Sequence, residues 1–198
     1  MTTDKLKKIV KESLSEKRYN HSIEVSKEAV RLAKIYGEDV QKAEIAGILH
    51  DILKECDSLF LRSFMIDNGY TLSPVEQSAQ KLWHAVAGAL YIEYTLKITD
   101  RDILNAVKYH TTARADMSML EKVLYLADFT SLDRDYDGVS ELRRLVSKNM
   151  DAAMKEALRF TINDLARELK PIHENTLAAY NQLICTPSDE QFVLKAEV

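Results

Sequence analysis

The sequence predicts an all-α bundle, and three observations carry that prediction. Glycine and proline are scarce, five and three in 198 residues, too few for the many turns of a β-sandwich. Apolar residues recur at helical spacing between recognisable caps and stops. No alternating apolar and polar run flanked by hairpin residues appears. At this length one compact domain is expected, over residues 1–186, followed by a loose polar tail over 187–198.

The helices follow in order. Thr3 or Asp4 can cap a first one running to about Leu14, with Leu6, Ile9, Val10 and Leu14 on one face. A second spans about Asn20 to Tyr36 and stops at Gly37, a residue suited to a left-handed C-cap. Asp39 caps a third, Val40 to about Leu53, which carries His50 and Asp51 near its end. A fourth covers Ser58 to Asp67 and ends at Asn68-Gly69. Ser73-Pro74 opens a fifth with a cap and an N1 proline. His84 to Leu96 is helical, and Asp100 starts a helix that ends near His110. Met119 to Phe129 holds Asp128 in its last turn. The Asp-rich stretch 133–138 is a loop. Two helices near Val139–Lys148 and Asp151–Leu169 precede Pro171, which breaks the chain before a last helix at about Glu174 to Ile184. No internal repeat, low-complexity tract or linker interrupts this order.

Composition excludes several classes. With 46% hydrophobic and 29% charged residues the chain suits a water-soluble globule. A formal charge of −4 leaves no footprint for a nucleic-acid polymer. No run approaches the roughly 18 apolar residues of a membrane span, and the N-terminus lacks the apolar stretch of a signal peptide. Cys56 and Cys185 form no CxxC pair. Both are expected to be buried or half-buried thiols in a reducing cytoplasm.

The chemistry lies in the histidines and two aspartates. His50-Asp51 sits inside an apolar helix (Ile45, Ala46, Ile48, Leu49, Ile52, Leu53), and Asp128 follows the equally apolar Val123-Leu124-Tyr125-Leu126-Ala127. A desolvated carboxylate needs a cation or several donors. Imidazoles and carboxylates together suit a divalent ion such as iron, manganese or zinc. With His21 before the pair and His84 and His110 after it, four of the five histidines belong to one series.

That series, His21, His50-Asp51 and Asp128, resembles the HD-domain metal-dependent phosphohydrolases over about residues 18 to 181. It is closer still to their YqeK-type branch, the symmetrical diadenosine tetraphosphate hydrolases. The resembling segments are Tyr19-Asn20-His21-Ser22, His50-Asp51-Ile52-Leu53-Lys54, His84-Ala85, His110-Thr111-Thr112, Met117 to Lys122 and Tyr125 to Asp128. Gly138-Val139, Leu142-Arg143, Pro171-Ile172-His173, Thr176 and Tyr180-Asn181 complete them. A bare His-Asp pair is weak evidence; the full ordered set is specific. The resemblance implies an HD-type helical bundle in which His21, His50, Asp51 and Asp128 hold a metal, iron first and manganese, zinc or magnesium as alternatives. His84 and His110 would complete a second metal site or bond to phosphate. Lys54 and Arg134 would contact phosphate, and Asp51 would also orient the attacking water. Thr111, Pro171, Ile172, His173, Thr176 and Tyr180 would line the substrate site, with Tyr180 stacking on adenine and His173 binding substrate or capping its helix. The implied partners are a dinucleoside polyphosphate and its product, ADP; a homodimer is allowed.

Departures mark this chain. Thr111-Thr112-Ala113 stands where the family commonly has Thr-Thr-Gly. Ser131-Leu132-Asp133-Arg134 and Tyr136-Asp137-Gly138 replace Glu-Pro-Asn-Arg and Phe-Pro-Gly. Two other readings compete with the first. One is a nucleotide phosphatase acting on mono- or diphosphates; the other is a nucleotide- or metal-sensing protein with a dead centre.

Overall fold

A computed structural model describes residues 1–186; the tail expected over 187–198 lies outside the described residues. The regular structure of the described chain is all helical, and no strand occurs among its residues. Helices α1 (Thr3–Ser13), α2 (Glu16–Tyr36) and α3 (Val40–Leu49) are followed by α4 (Ser58–Asp67) and α5 (Pro74–Ser78). A 3-10 turn at Gln80–Leu82 leads into α6 (Trp83–Tyr94), then α7 (Arg101–Tyr109) and α8 (Met119–Thr130). Helices α9 (Val139–Val146), α10 (Met150–Arg167) and α11 (Glu174–Cys185) close the series.

Most stops and caps fall where local chemistry puts them. Gly37 ends α2 at φ +70°, a left-handed conformation that costs glycine little. Asp39 and Asp100 each accept two backbone N–H bonds at the starts of α3 and α7. Ser73 and Glu76 form a reciprocal capping box ahead of α5.

Four expectations need correction. The cap of α1 is Thr2, whose hydroxyl accepts from Lys5 N. Helix α2 begins at Glu16, behind a Ser15 cap, earlier than Asn20. Helix α3 stops at Leu49, so His50 is its C-cap and Asp51 lies beyond it. Residues 50–56 run in tight turns instead, with Ile52 N donating to Leu49 O and Lys54 N to Asp51 O. Ile52 is nonetheless fully buried, which is why the apolar pattern continues past the helix end. Lastly, Cys56 is half-buried as expected, but Cys185 is exposed near the end of α11.

Helix α3 is central. It packs against α1, α2, α7 and α8. Its approach to α2 is close: a Cβ added to Gly47 would stand 2.5 Å from Ser26 Cα, and Ser26 Oγ donates to Glu44 O at 3.0 Å. This crossing sets the start of α2 beside the end of α3. Helix α7 packs on α3, α6 and α8, so the end of α7 and the start of α6 reach the same place.

Candidate metal centre

Five elements deliver their chemistry-bearing side chains to one buried spot. His21 comes from α2, His50 and Asp51 from the end of α3, His84 from the first turn of α6, His110 from the end of α7, and Asp128 from α8. Ring centroids lie 5.4 Å apart for His21 and His50, and 5.1 Å apart for both His50–His110 and His84–His110. One donor atom from each member of three triads falls within 4.8 Å of the others. The triads are His21–His50–Asp51, His50–His110–Asp128 and Asp51–His84–His110.

Three of the imidazoles are held alike. Nδ1 of His50 donates to Gly47 O at 2.8 Å, that of His84 to Lys81 O at 2.8 Å, and that of His110 to Val107 O at 2.7 Å. A carbonyl only accepts, so in each ring Nδ1 carries a proton, and when the ring is neutral Nε2 presents a lone pair inward. His84 Nε2 and His110 Nε2 face each other at 3.2 Å, an arrangement of two lone pairs that calls for a cation or a donor between or beside them. Lys54 Nζ supplies one, 3.1 Å from His84 Nε2. His50 Nε2 is fully buried and, like Asp51 Oδ1, has no hydrogen-bond partner. Buried polar atoms are nearly always paired, so these orphaned atoms indicate a ligand. Donor chemistry and orphaned atoms together fit a divalent metal.

The carboxylates keep their charge. Burial favours the neutral form of Asp51, but His50, His110 and His84 around it hold the carboxyl well below its usual range. Burial is likewise outweighed at Asp128 by His21, Arg134 and His50. His84 is pushed down to about 4, mainly by burial and further by His110 and Lys54. It is therefore neutral at neutral pH and free to ligate. Burial also draws the Lys54 ammonium below its ordinary value.

Cations rim the cluster. Arg18 Nη1 donates to Asp51 Oδ2 at 2.9 Å, Lys54 lies 3.7 Å from Asp51 Oδ1, and Arg134 pairs with Asp128 through its carboxylate and its carbonyl oxygen. Arg18 is not among the residues singled out from sequence, although it directly precedes the segment Tyr19-Asn20-His21-Ser22. Arg143 was noted only as part of a motif. Its guanidinium fastens the α8–α9 loop by donating to Thr130 O, Ser131 O and Arg134 O at 2.9, 2.6 and 2.8 Å.

The remaining singled-out residues lie toward α11. Thr111 Oγ1 is buried without a partner, and Thr111 shares a narrow recess with Tyr70, Lys108, Tyr109, His173 and Asn175. His173 caps α11, its Nδ1 accepting from Asn175 N at 3.1 Å. Buried Thr176 donates to Thr112 O at 2.8 Å. Pro171 is exposed, Ile172 half-buried, and Tyr180 partly buried against the core. A groove of about 820 Å³ is lined by Arg114, Lys122, Asp151, Lys155 and Gln182, none of which belongs to the cluster.

Comparison with known proteins agrees with this geometry. The HD domain family matches residues 18–133, the stretch that carries His21, His50-Asp51, His84, His110 and Asp128. The chain belongs to the HD-domain family. Within it, the chain is 39% identical over 184 residues to a symmetrical bis(5'-nucleosyl)-tetraphosphatase of Halalkalibacterium halodurans, covering 93% of this chain and 98% of that one. It is 35% identical to the protein of the same name in Bacillus subtilis, covering 88% and 94%. A crystal structure from Clostridium acetobutylicum, described as a predicted HD superfamily hydrolase involved in NAD metabolism, superposes with a TM-score of 0.90. It shares 37% identity, over 93% of this chain and 97% of that one. No helix among the described residues is long and apolar enough to cross a membrane.

Proposed function

We propose that this HD protein cuts diadenosine tetraphosphate, or a close dinucleoside tetraphosphate, symmetrically into two ADP with the help of a divalent metal. The observation that carries the reading is the inward-facing donor set, with His50 Nε2 buried and orphaned and three side-chain cations at its rim. The substrate comes from the names of the Halalkalibacterium and Bacillus relatives.

On this reading His21, His50, Asp51 and Asp128 hold the first ion, and His84 with His110 hold a second or bond to phosphate. Iron is proposed first; mixed imidazole and carboxylate donors also suit manganese or zinc, and magnesium less well. When bound, such an ion brings the pKa of a coordinated water toward neutrality and offsets phosphate charge.

The protein's own groups do the rest. Asp51 stays ionised, as a metal ligand must, and can also accept a proton's hydrogen bond. Arg18, Lys54 and Arg134 reach the non-bridging oxygens of the phosphate chain, where charge redistributes as the bond to departing ADP breaks. Arg134 offers a planar fork that is always charged; Lys54 offers a point charge. Thr111 has a hydroxyl to spare for substrate. Pro171, Ile172 and Tyr180 retain surface for a base, while His173 and Thr176 hold that wall in place. A reducing cytoplasm is the proposed setting, in keeping with free Cys56 and Cys185.

The test pairs metal analysis of anaerobically purified protein with chromatography of its products. Diadenosine tetraphosphate, AMP, dAMP and cyclic nucleotides are offered separately. ADP from the tetraphosphate alone is the expected result. Inorganic phosphate released from the monophosphates would overturn the reading in favour of a general nucleotide phosphatase.

A further inference from the structure

Of the four histidines in the cluster, His21 is held differently. His50 and His110 stand at helix C-caps, and their Nδ1 protons go to carbonyls three residues back in the last turn. In the last turn such carbonyls lie outside the i→i+4 ladder, although that of Val107 also takes His110 N–H at 3.5 Å. His84, in the first turn of α6, bonds in the same way to the 3-10 turn before it. His21 lies inside α2, past its first turn, where carbonyls are spent on the helical ladder. Nothing in its own helix can fix the ring. The structure supplies a side chain instead: Asp133 Oδ2 stands 2.7 Å from His21 Nδ1, across 112 residues of sequence. The opposite nitrogen, Nε2, faces Asp128 Oδ1 at 3.0 Å.

We infer that Asp133 is the positioning residue for His21. Its carboxylate accepts from Nδ1–H, which leaves Nε2 as the ligating atom and fixes the plane of the ring toward the centre. The inference rests on the metal reading proposed above. A carboxylate behind a ligating imidazole also makes it a better donor, and removing such a partner typically weakens metal binding 10–100-fold.

The arrangement ties one corner of the centre to the α8–α9 loop. Asp133 is itself fairly exposed, at 36% of its side chain. Its place depends on the loop backbone, which Arg143 fastens at three carbonyls and which turns back on itself through Arg134 N to Ser131 O at 3.0 Å. His50, His84 and His110 need no loop to be oriented. Metal occupancy at the His21 corner is therefore the property that this loop controls.

The experiment titrates wild type, Asp133→Ala and Asp133→Asn with Mn(II), and anaerobically with Fe(II), following free metal, and records the melting of each metal-free protein. Asp133→Ala is expected to bind about 10–100-fold more weakly with its metal-free melting unchanged. Asp133→Asn, whose amide oxygen still accepts, is expected to recover part of the loss. Asp133→Ala binding as tightly as wild type overturns the inference and leaves the metal reading standing. Weaker binding accompanied by a lower metal-free melting temperature, with no recovery in Asp133→Asn, overturns it as well, since the carboxylate would then only be folding the loop. Failure of wild type to take up either metal sinks the metal reading itself, and the inference with it.

Discussion

Two corners of this molecule bury histidine beside carboxylate, and they behave in opposite ways. At the α11 corner the histidine and the carboxylate have protein partners, and of the neighbouring buried hydroxyls only Thr111 Oγ1 has none. Glu76 accepts from Tyr70 Oη at 2.7 Å and from Ser73 N at 2.8 Å, and lies 3.8 Å from His173 Nε2. His173 caps its helix, and Thr176 bonds to a backbone carbonyl. At the corner where α2, α3, α6, α7 and α8 meet, His50 Nε2 and Asp51 Oδ1 have none, and two imidazole lone pairs confront each other. A satisfied polar network makes a wall rigid. An unsatisfied one, held open by surrounding structure, makes a binding site. Residue type alone does not separate the two; the whereabouts of each partner does.

The contrast can be broken or sharpened by mutation. The largest expected effect is that of Asp51→Ala, which removes a carboxylate common to two of the three donor triads. ADP release should fall by at least about 100-fold, the upper end for losing even an outer-shell partner, and metal content should fall with it. The helical circular-dichroism spectrum should persist. Turnover that survives the change would place hydrolysis elsewhere in the molecule.

At the other corner the loss should appear as stability. Thr176→Val leaves the Thr112 carbonyl without its donor in a buried place. About 1–3 kcal/mol is expected, the cost of orphaning such a group, read from urea unfolding. An unfolding midpoint equal to that of wild type would mean that this wall is not held by that bond.

The last contrast is one of pH: Glu76→Gln should lower stability at neutral pH, and the deficit should fade in acid. Burial would raise the Glu76 carboxyl, but bonds from His173, Ser73 and Tyr70 bring it from 4.5 down to about 2. A depressed carboxylate stabilises the folded state fully above its unfolded value. That contribution should drain away as pH falls from about 4.5 through about 2. Acid titration of stability should be steeper across that window for wild type than for Glu76→Gln. Parallel curves would show that Glu76 is no more tightly held than a free carboxylate.

Much of the fold was legible because its signals are local. A cap such as Asp39 or Ser73 acts on backbone within three residues, and Gly37 acts at its own φ. Errors arose where burial and helix part company. Ile52 and Leu53 read as helix because they are apolar, yet they are buried from a string of turns. Ser15-Glu16-Lys17-Arg18 offers no apolar stripe, so the expected start of α2 falls at Asn20; the Ser15 cap is the signal that marks its first turn. Arg18 was overlooked for a related reason. An arginine in the first turn of a helix looks like any solvated surface cation until another helix end brings Asp51 against it.

Sequence by itself determined the all-α class, the helical order and the inventory of donors, including His21, His50-Asp51, His84, His110 and Asp128. The tertiary structure alone decided that the four imidazoles converge, that Arg18 joins the rim, and that Asp133 stands behind His21. Periodicity and caps are fixed by neighbours a few residues away, so they can be read along a string. Which side chains meet is fixed by how helices cross, as where Gly47 lets α3 settle onto Ser26 of α2.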